Sequence, residues 1–114
     1  MILIKEGIFC EIIDLRTVRP LDINTVLQSV KKTNRLVILE EAWPFGNVST
    51  EITYQIQEKA FDYLDAPVVK INTADTPAPY SPVLLEEWLP NSGDVVKQSK
   101  KYYTNKQLGP RWKN

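Results

Sequence analysis

Carboxylates are the residues of this chain whose chemistry could support catalysis. Histidine, the commonest general acid or base and a common zinc ligand, is absent from all 114 residues. Two pairs of adjacent glutamates remain, Glu40-Glu41 and Glu86-Glu87. Neighbouring side chains point to opposite faces of a strand and diverge on a helix, so neither pair forms an acid/base site. The four glycines form no phosphate-binding motif. The sequence therefore predicts no catalytic, metal-binding or cofactor-binding residue in this chain.

Two arginines flank the end of a predicted strand and could bind an anion. Arg16 and Arg19 lie close in sequence to Asp14 and Asp22. The alternative is that they pair with these acids or with an acid of a neighbouring subunit, and we favour pairing.

Large aromatic and acidic side chains in predicted loops are candidates for contacts with partners. Trp43 and Phe45 surround Pro44, and Tyr80 follows a proline-rich stretch. Such side chains either cover the core edge or anchor an interface, and the sequence leaves both open. Asp65 either shapes a turn or forms an acidic docking point.

The composition is that of one globular domain, with 43% hydrophobic and 25% charged residues. No apolar run approaches the ~20 residues that a membrane span needs. Cys10 is the single cysteine, which excludes an internal disulfide and fits a reducing compartment. Because Cys10 lies within an apolar run, we expect it to be a buried core residue.

The net charge of zero conceals an asymmetry along the chain. The six basic residues after Asp94 are followed by no acid, which leaves eight basic against 14 acidic residues before Lys97. A basic, aromatic end could bind nucleic acid. We favour a solvated helix end, because cations stabilise helix C-termini.

Apolar periodicity predicts three strands alternating with helices, the order of a parallel α/β sheet. Gly7 is the expected stop of a helical turn at residues 2–6. Asp22 is the expected cap of the first full helix. The predicted strands are residues 8–14, 35–40 and 68–72. One predicted helix begins near Asp22, and three more span residues 48–61, 83–88 and 92–103.

Four phrases resemble the C-terminal domain of the pyruvate dehydrogenase β subunit: EIIDLRTVRPLD, KKTNRLVILEEAWPFG, FDYLDAPVVKINTADTPAPYSPVLLE and LPNSGDVVK. The related branched-chain 2-oxoacid dehydrogenase β subunit shares part of this wording and is the residual alternative. The resemblance covers about residues 3–101, and we assign residues 1–101 as a partial transketolase C-terminal-like domain. Residues 102–114 are assigned as a basic C-terminal extension.

The resemblance implies an α/β fold with three α/β/α layers and a mostly parallel sheet, similar to the transketolase C-terminal domain and incomplete at its N-terminal side. It implies assembly and docking within the oxidative decarboxylation of pyruvate to acetyl-CoA. Thiamine diphosphate and magnesium belong to the complete enzyme and are not bound by this chain. The expected location is the mitochondrial matrix or a bacterial cytoplasm.

The resemblance also implies the partners. These are the α subunit and a second β subunit of an α2β2 assembly, and the dihydrolipoyl acetyltransferase core. We expect Trp43, Phe45 and Tyr80 to be assembly contacts, and Asp65 to contact the acetyltransferase. Two further hypotheses are a free-standing interaction module, which binds the α subunit or nucleic acid, and a non-functional fragment.

Overall fold

Helices flank a small parallel sheet in the computed structural model, which describes residues 10–107 and the side chains of residues 10–101. In chain order the elements are helix α1 (Ile23–Thr33), strand β1 (Val37–Leu39), helix α2 (Val48–Ala60), a 3-10 turn (Phe61–Tyr63), strand β2 (Val69–Ile71), helix α3 (Pro82–Trp88) and helix α4 (Ser92–Gln107). We name residues 40–47 the first loop and residues 72–81 the second loop. Both follow the carboxyl end of a strand.

The two strands pair in parallel, with Ile38 in register with Lys70. Ile38 packs against the apolar cluster of α1 and α2, and the Lys70 ammonium reaches the Thr50 hydroxyl of α2 at 2.8 Å. Helix α4 contacts both strands. The expected α/β/α class is confirmed, with a sheet of two strands within the described residues.

The core lies between α1 and α2 because both helices are amphipathic. Their buried residues recur at helical spacing, and the cluster consists of Val26, Val30, Ile52, Ile56 and Ala60. Partly buried apolar side chains from both strands and the flanking loops surround it.

Helix α1 begins at the cap that the sequence predicts and ends at a residue in the left-handed conformation. The Asp22 carboxylate accepts hydrogen bonds from the Thr25 backbone N–H at 3.3 Å and from the Thr25 hydroxyl. At the other end, Asn34 adopts the left-handed conformation (φ 67°), and its N–H bonds the Val30 carbonyl. Lys31 and Lys32 lie in the last turn, where cations favour the helix dipole.

The cap predicts a pH dependence of stability. The Thr25 hydroxyl and backbone N–H lower the pKa of Asp22 below its ordinary value. A carboxyl group whose pKa is lower in the folded state stabilises the fold at pH values above its ordinary pKa. This stabilisation is lost as the pH falls through the folded-state pKa. We expect Asp22→Ala to lower the thermal midpoint at pH 7, and the difference from wild type to shrink below about pH 4. Thermal unfolding followed by circular dichroism at several pH values tests this, with Asp75→Ala as the exposed control. A difference that persists unchanged at pH 2 would contradict it.

The predicted strand at residues 8–14 is wrong over residues 10–14, which have no strand structure; residues 8 and 9 lie outside the described part. A strand needs a neighbour to bond its backbone groups, and no described strand lies beside these residues. Ile13 packs against the core, while Ile12 is 72% exposed. Cys10 is also exposed, so its predicted burial is wrong for the same reason. The expected three-strand order is therefore seen only as β1, α2 and β2.

The remaining elements lie close to their predicted positions. Strands β1 and β2 are shorter than expected, and α4 continues through Gln107 rather than ending at residue 103. Helix α4 begins with a reciprocal cap: the Asn91 side chain accepts from the Asp94 N–H, and the Asp94 carboxylate accepts from the Asn91 N–H. The helical turn predicted at residues 2–6 lies outside the described residues. Within the described part, no helix has the length and apolar character to cross a membrane.

Candidate functional site

The first loop is closed by polar side chains that bind its own backbone. The Asn47 amide donates to the carbonyl oxygens of Trp43 and Phe45, the second at 3.3 Å. The Lys70 ammonium, from the neighbouring strand, donates to the Pro44 carbonyl at 2.6 Å. Gly46 completes the turn with φ 68°, a conformation in which a side chain would be strained. The loop is therefore held as a compact turn rather than as an open segment.

Glu40 links the end of β1 to α2 and to the start of the second loop, a role that the sequence did not reveal. One carboxylate oxygen accepts from the Ser49 backbone N–H at 2.9 Å. The other accepts from the Ser49 hydroxyl at 3.1 Å and the Asn72 amide at 3.0 Å. Ser49 is fully buried, so its donors require a partner inside the protein. An acid at a strand end, followed nine residues later by a serine in the first helical turn, is the signal that could have indicated this link.

A shared carbonyl oxygen joins the two loops. The Thr76 carbonyl accepts the indole N–H of Trp43 at 2.8 Å and that of Trp88 at 2.9 Å. The Ala74 N–H in turn donates to the Trp88 carbonyl at 3.1 Å. Since Trp88 lies on α3, these bonds fasten both loops to a helix at the carboxyl end of the sheet.

The three aromatic side chains singled out in the sequence extend into solvent from these loops. Phe45 is 87% exposed, Trp43 is 48% exposed and Tyr80 is fully exposed. The sequence left open whether these side chains cover the edge of the core. Phe45 and Tyr80 do not cover it, because both are exposed. We name these three residues the aromatic surface. Their role as assembly contacts stays a prediction.

Two aliphatic residues beside Tyr80 escaped the sequence reasoning. Val83 and Leu84 are exposed in the first turn of α3, whereas Leu85 and Trp88 turn partly inward. The signal was present, because four apolar residues among seven are too many for one face of a two-turn helix. Exposed apolar groups that cluster on one side of a protein are typical of interaction sites.

Asp65 lies at the other end of the sheet from the aromatic surface. It precedes β2, is exposed, and donates its backbone N–H to the carbonyl of Asn34 at 2.9 Å. Nearby, the Lys31 ammonium lies 5.5 Å from the centre of the Tyr63 ring. Because Asn34 precedes β1, Asp65 marks the amino ends of both strands. The structure therefore separates the four predicted contact residues into two surfaces.

The two arginines are placed differently from each other. Arg16 approaches Asp14 at 3.7 Å, as expected, and both side chains are well exposed. Arg19 instead lines an open groove of about 550 Å³ together with Val18 and Glu51. The Asp22 carboxylate, considered above as a partner for the arginines, accepts the hydrogen bonds of the α1 cap.

The family resemblance raises the question whether this chain could hold a metal-bound diphosphate. Within residues 10–107, no group of three or more cysteine, aspartate or glutamate residues could hold a metal ion.

The order of elements and their packing define a class of protein, and sequence comparison identifies it. Residues 2–95 match the family described as transketolase, C-terminal domain. This match covers most of the chain and agrees with a parallel sheet flanked by helices. The chain belongs to the transketolase C-terminal domain family.

Within that family, the chain is similar to the pyruvate dehydrogenase E1 component subunit beta, as the sequence phrases indicated. It is 47% identical over 105 residues to the subunit of Rickettsia felis, covering 90% of this chain and 32% of that protein. It is 53% identical over 91 residues to that of Rhizobium meliloti, covering 80% and 20%. With the mitochondrial subunit of Bos taurus, the identity is 48% over 101 residues, covering 88% and 28%. The chain thus spans about a third or less of the length of these relatives.

Proposed function

We propose that this domain is the assembly and docking part of a pyruvate dehydrogenase β subunit and carries no catalytic residue itself. The complete enzyme would use thiamine diphosphate and magnesium to convert pyruvate oxidatively to acetyl-CoA. Similarity to pyruvate dehydrogenase β subunits over most of the chain supports the choice of this enzyme. The observation that carries the assembly role is the aromatic surface, which hydrogen-bonded loops hold in solvent.

The energetics of the aromatic surface favour an interface. Each large aromatic side chain buries about 150–250 Å² when covered, and apolar burial contributes ~25 cal/mol per Å². Tyrosine and tryptophan are also enriched among the residues that dominate binding energy. Because the loop hydrogen bonds already order the backbone, less conformational entropy is lost when a partner binds. The proposed partners are the α subunit and a second β subunit.

Co-purification tests this proposal. The full polypeptide that carries these residues is produced together with the pyruvate dehydrogenase α subunit, and the complex mass is measured by analytical ultracentrifugation. A stable α2β2 complex is the expected result. A polypeptide that stays separate from the α subunit at micromolar concentration would refute the assembly role.

We further propose that Asp65 docks the dihydrolipoyl acetyltransferase. Its exposed carboxylate lies apart from the aromatic surface, so both partners could bind the same molecule. An acidic residue here suits a basic partner surface. We keep the proposed assignment of residues 102–114 as a basic C-terminal extension, which begins within helix α4. The presence of both mitochondrial and bacterial relatives leads us to propose the mitochondrial matrix or a bacterial cytoplasm as the location.

Removal of the Asp65 carboxylate is expected to lower the affinity for the acetyltransferase. We expect Asp65→Ala to weaken binding of the acetyltransferase's subunit-binding domain about tenfold, the equivalent of ~1.4 kcal/mol for one charge-assisted hydrogen bond. Isothermal titration calorimetry at two salt concentrations measures this, since an exposed charge contact weakens with salt. Asp75→Ala, an exposed aspartate in the second loop, is the control. Equal affinities for both variants and wild type would exclude Asp65 from the docking site.

A further inference from the structure

At the start of α2, the residue in the capping position does not cap the helix with its side chain. Asn47 precedes the helix in an extended conformation, the position from which an asparagine side chain usually accepts a hydrogen bond from the first-turn N–H groups. Its side chain makes no such bond. The unoccupied capping role falls to a residue from outside the helix.

Glu40 fills that role from the end of β1. Its carboxylate accepts from the backbone N–H of Ser49, the second residue of α2, at 2.9 Å and from the Ser49 hydroxyl at 3.1 Å. A negative charge at this end also complements the helix dipole. The Asn72 amide donates to the same carboxylate at 3.0 Å, which fixes its orientation. Helix α2 is therefore capped without any contribution from the Asn47 side chain.

The Asn47 side chain instead binds the first loop through its amide nitrogen. It donates to the carbonyl oxygens of Trp43 and Phe45, four and two residues earlier. The Phe45 ring is 87% exposed, so its packing against the described core contributes little to its position. The backbone of the loop must set where the ring lies, and the Asn47 amide is the side chain that binds the Phe45 carbonyl.

We propose that Asn47 is a positioning residue for Phe45, while Glu40 caps α2 in its place. The inference rests on the proposed function, since it assumes that Phe45 contacts a partner. The partner interface would then depend on a side chain that does not itself need to touch the partner.

Asn47→Asp separates the two roles of this position. Aspartate ranks with asparagine as a helix cap, but a carboxylate cannot donate and would face two carbonyl oxygens. We expect affinity for the α subunit to fall about threefold to tenfold, which corresponds to the loss of one or two hydrogen bonds. The thermal midpoint should change little. Hydrogen exchange at the Trp43 indole N–H, followed by NMR, should accelerate, whereas exchange at Trp88 on α3 should change less.

Asn91→Asp is the matched control because Asn91 caps α4 conventionally, by accepting from the Asp94 N–H. Aspartate can accept the same bond, so affinity and Trp43 exchange should remain at wild-type values. Wild-type affinity and wild-type Trp43 exchange in Asn47→Asp would overturn the proposal. So would parallel losses of affinity and thermal midpoint, which would indicate a purely structural role.

Phe45→Ala distinguishes failure of this inference from failure of the proposed function. If Phe45→Ala weakens α-subunit binding while Asn47→Asp does not, the positioning role is wrong and the assembly role stands. If neither variant changes the affinity, the assembly role of Phe45 is wrong. Trp43 exchange reports on the first loop in either case, because it requires no partner.

Discussion

Phe45→Ala is expected to weaken association with the pyruvate dehydrogenase α subunit about thirtyfold, or ~2 kcal/mol, the range of an interface residue that dominates binding. The physical reason is that Phe45 displays nearly its whole ring to solvent from a loop that hydrogen bonds already order. Covering that ring contributes apolar burial at little further cost in backbone entropy. Dissociation constants from isothermal titration calorimetry measure the effect.

Phe61→Ala is the matched control for Phe45. Phe61 is also exposed, but it begins the 3-10 turn after α2, toward the end of the sheet that carries Asp65. We expect its removal to leave α-subunit binding within about twofold of wild type, since a side chain outside the interface contributes little. A loss in Phe61→Ala equal to that in Phe45→Ala would contradict the assignment of the aromatic surface.

Ile56→Ala is expected to lower the free energy of unfolding by about 3 kcal/mol, within the range for deleting a buried aliphatic side chain. Ile56 has no exposed surface and lies at the centre of the cluster between α1 and α2. The cost includes the lost burial of the side chain and the cavity left behind. Urea unfolding followed by circular dichroism, with the full polypeptide, measures it.

Ile12→Ala removes the same atoms from a position that is 72% exposed. Its free energy of unfolding should stay within about 0.5 kcal/mol of wild type, as for most surface substitutions. The comparison also tests the correction made to the predicted N-terminal strand. A loss at Ile12 as large as that at Ile56 would mean that Ile12 is buried in the core rather than exposed.

Local signals predicted most of the helices and both observed strands. Asp22 and Asn34 bound α1 because capping depends on residues near each other in sequence. Residues 10–14 failed as a strand, although their apolar residues favoured one. Strand formation depends on a neighbouring backbone, which residues along one segment cannot reveal.

The candidate site was predictable in its residue types but not in its arrangement. Loop position and side-chain type marked Trp43, Phe45 and Tyr80 in advance. Their exposure, and the separation of Asp65 to the other end of the sheet, required the fold. Glu40 was recognised only as half of an acidic pair, because its donors lie nine and 32 residues away in the chain.

The sequence by itself determined the family of this protein, the helical faces that form its core and the absence of histidine chemistry. These follow from residue identity and from spacing within single elements. The tertiary structure alone decided that Glu40 caps α2, that Asn47 binds the first loop, and that Trp43 and Trp88 share the Thr76 carbonyl. The Trp43 bond to Thr76 joins the two loops, so it exists only once the parallel pairing of β1 and β2 has brought these loops together. The Asn47 bonds lie within the first loop, and only the structure shows that its side chain binds this loop rather than capping α2.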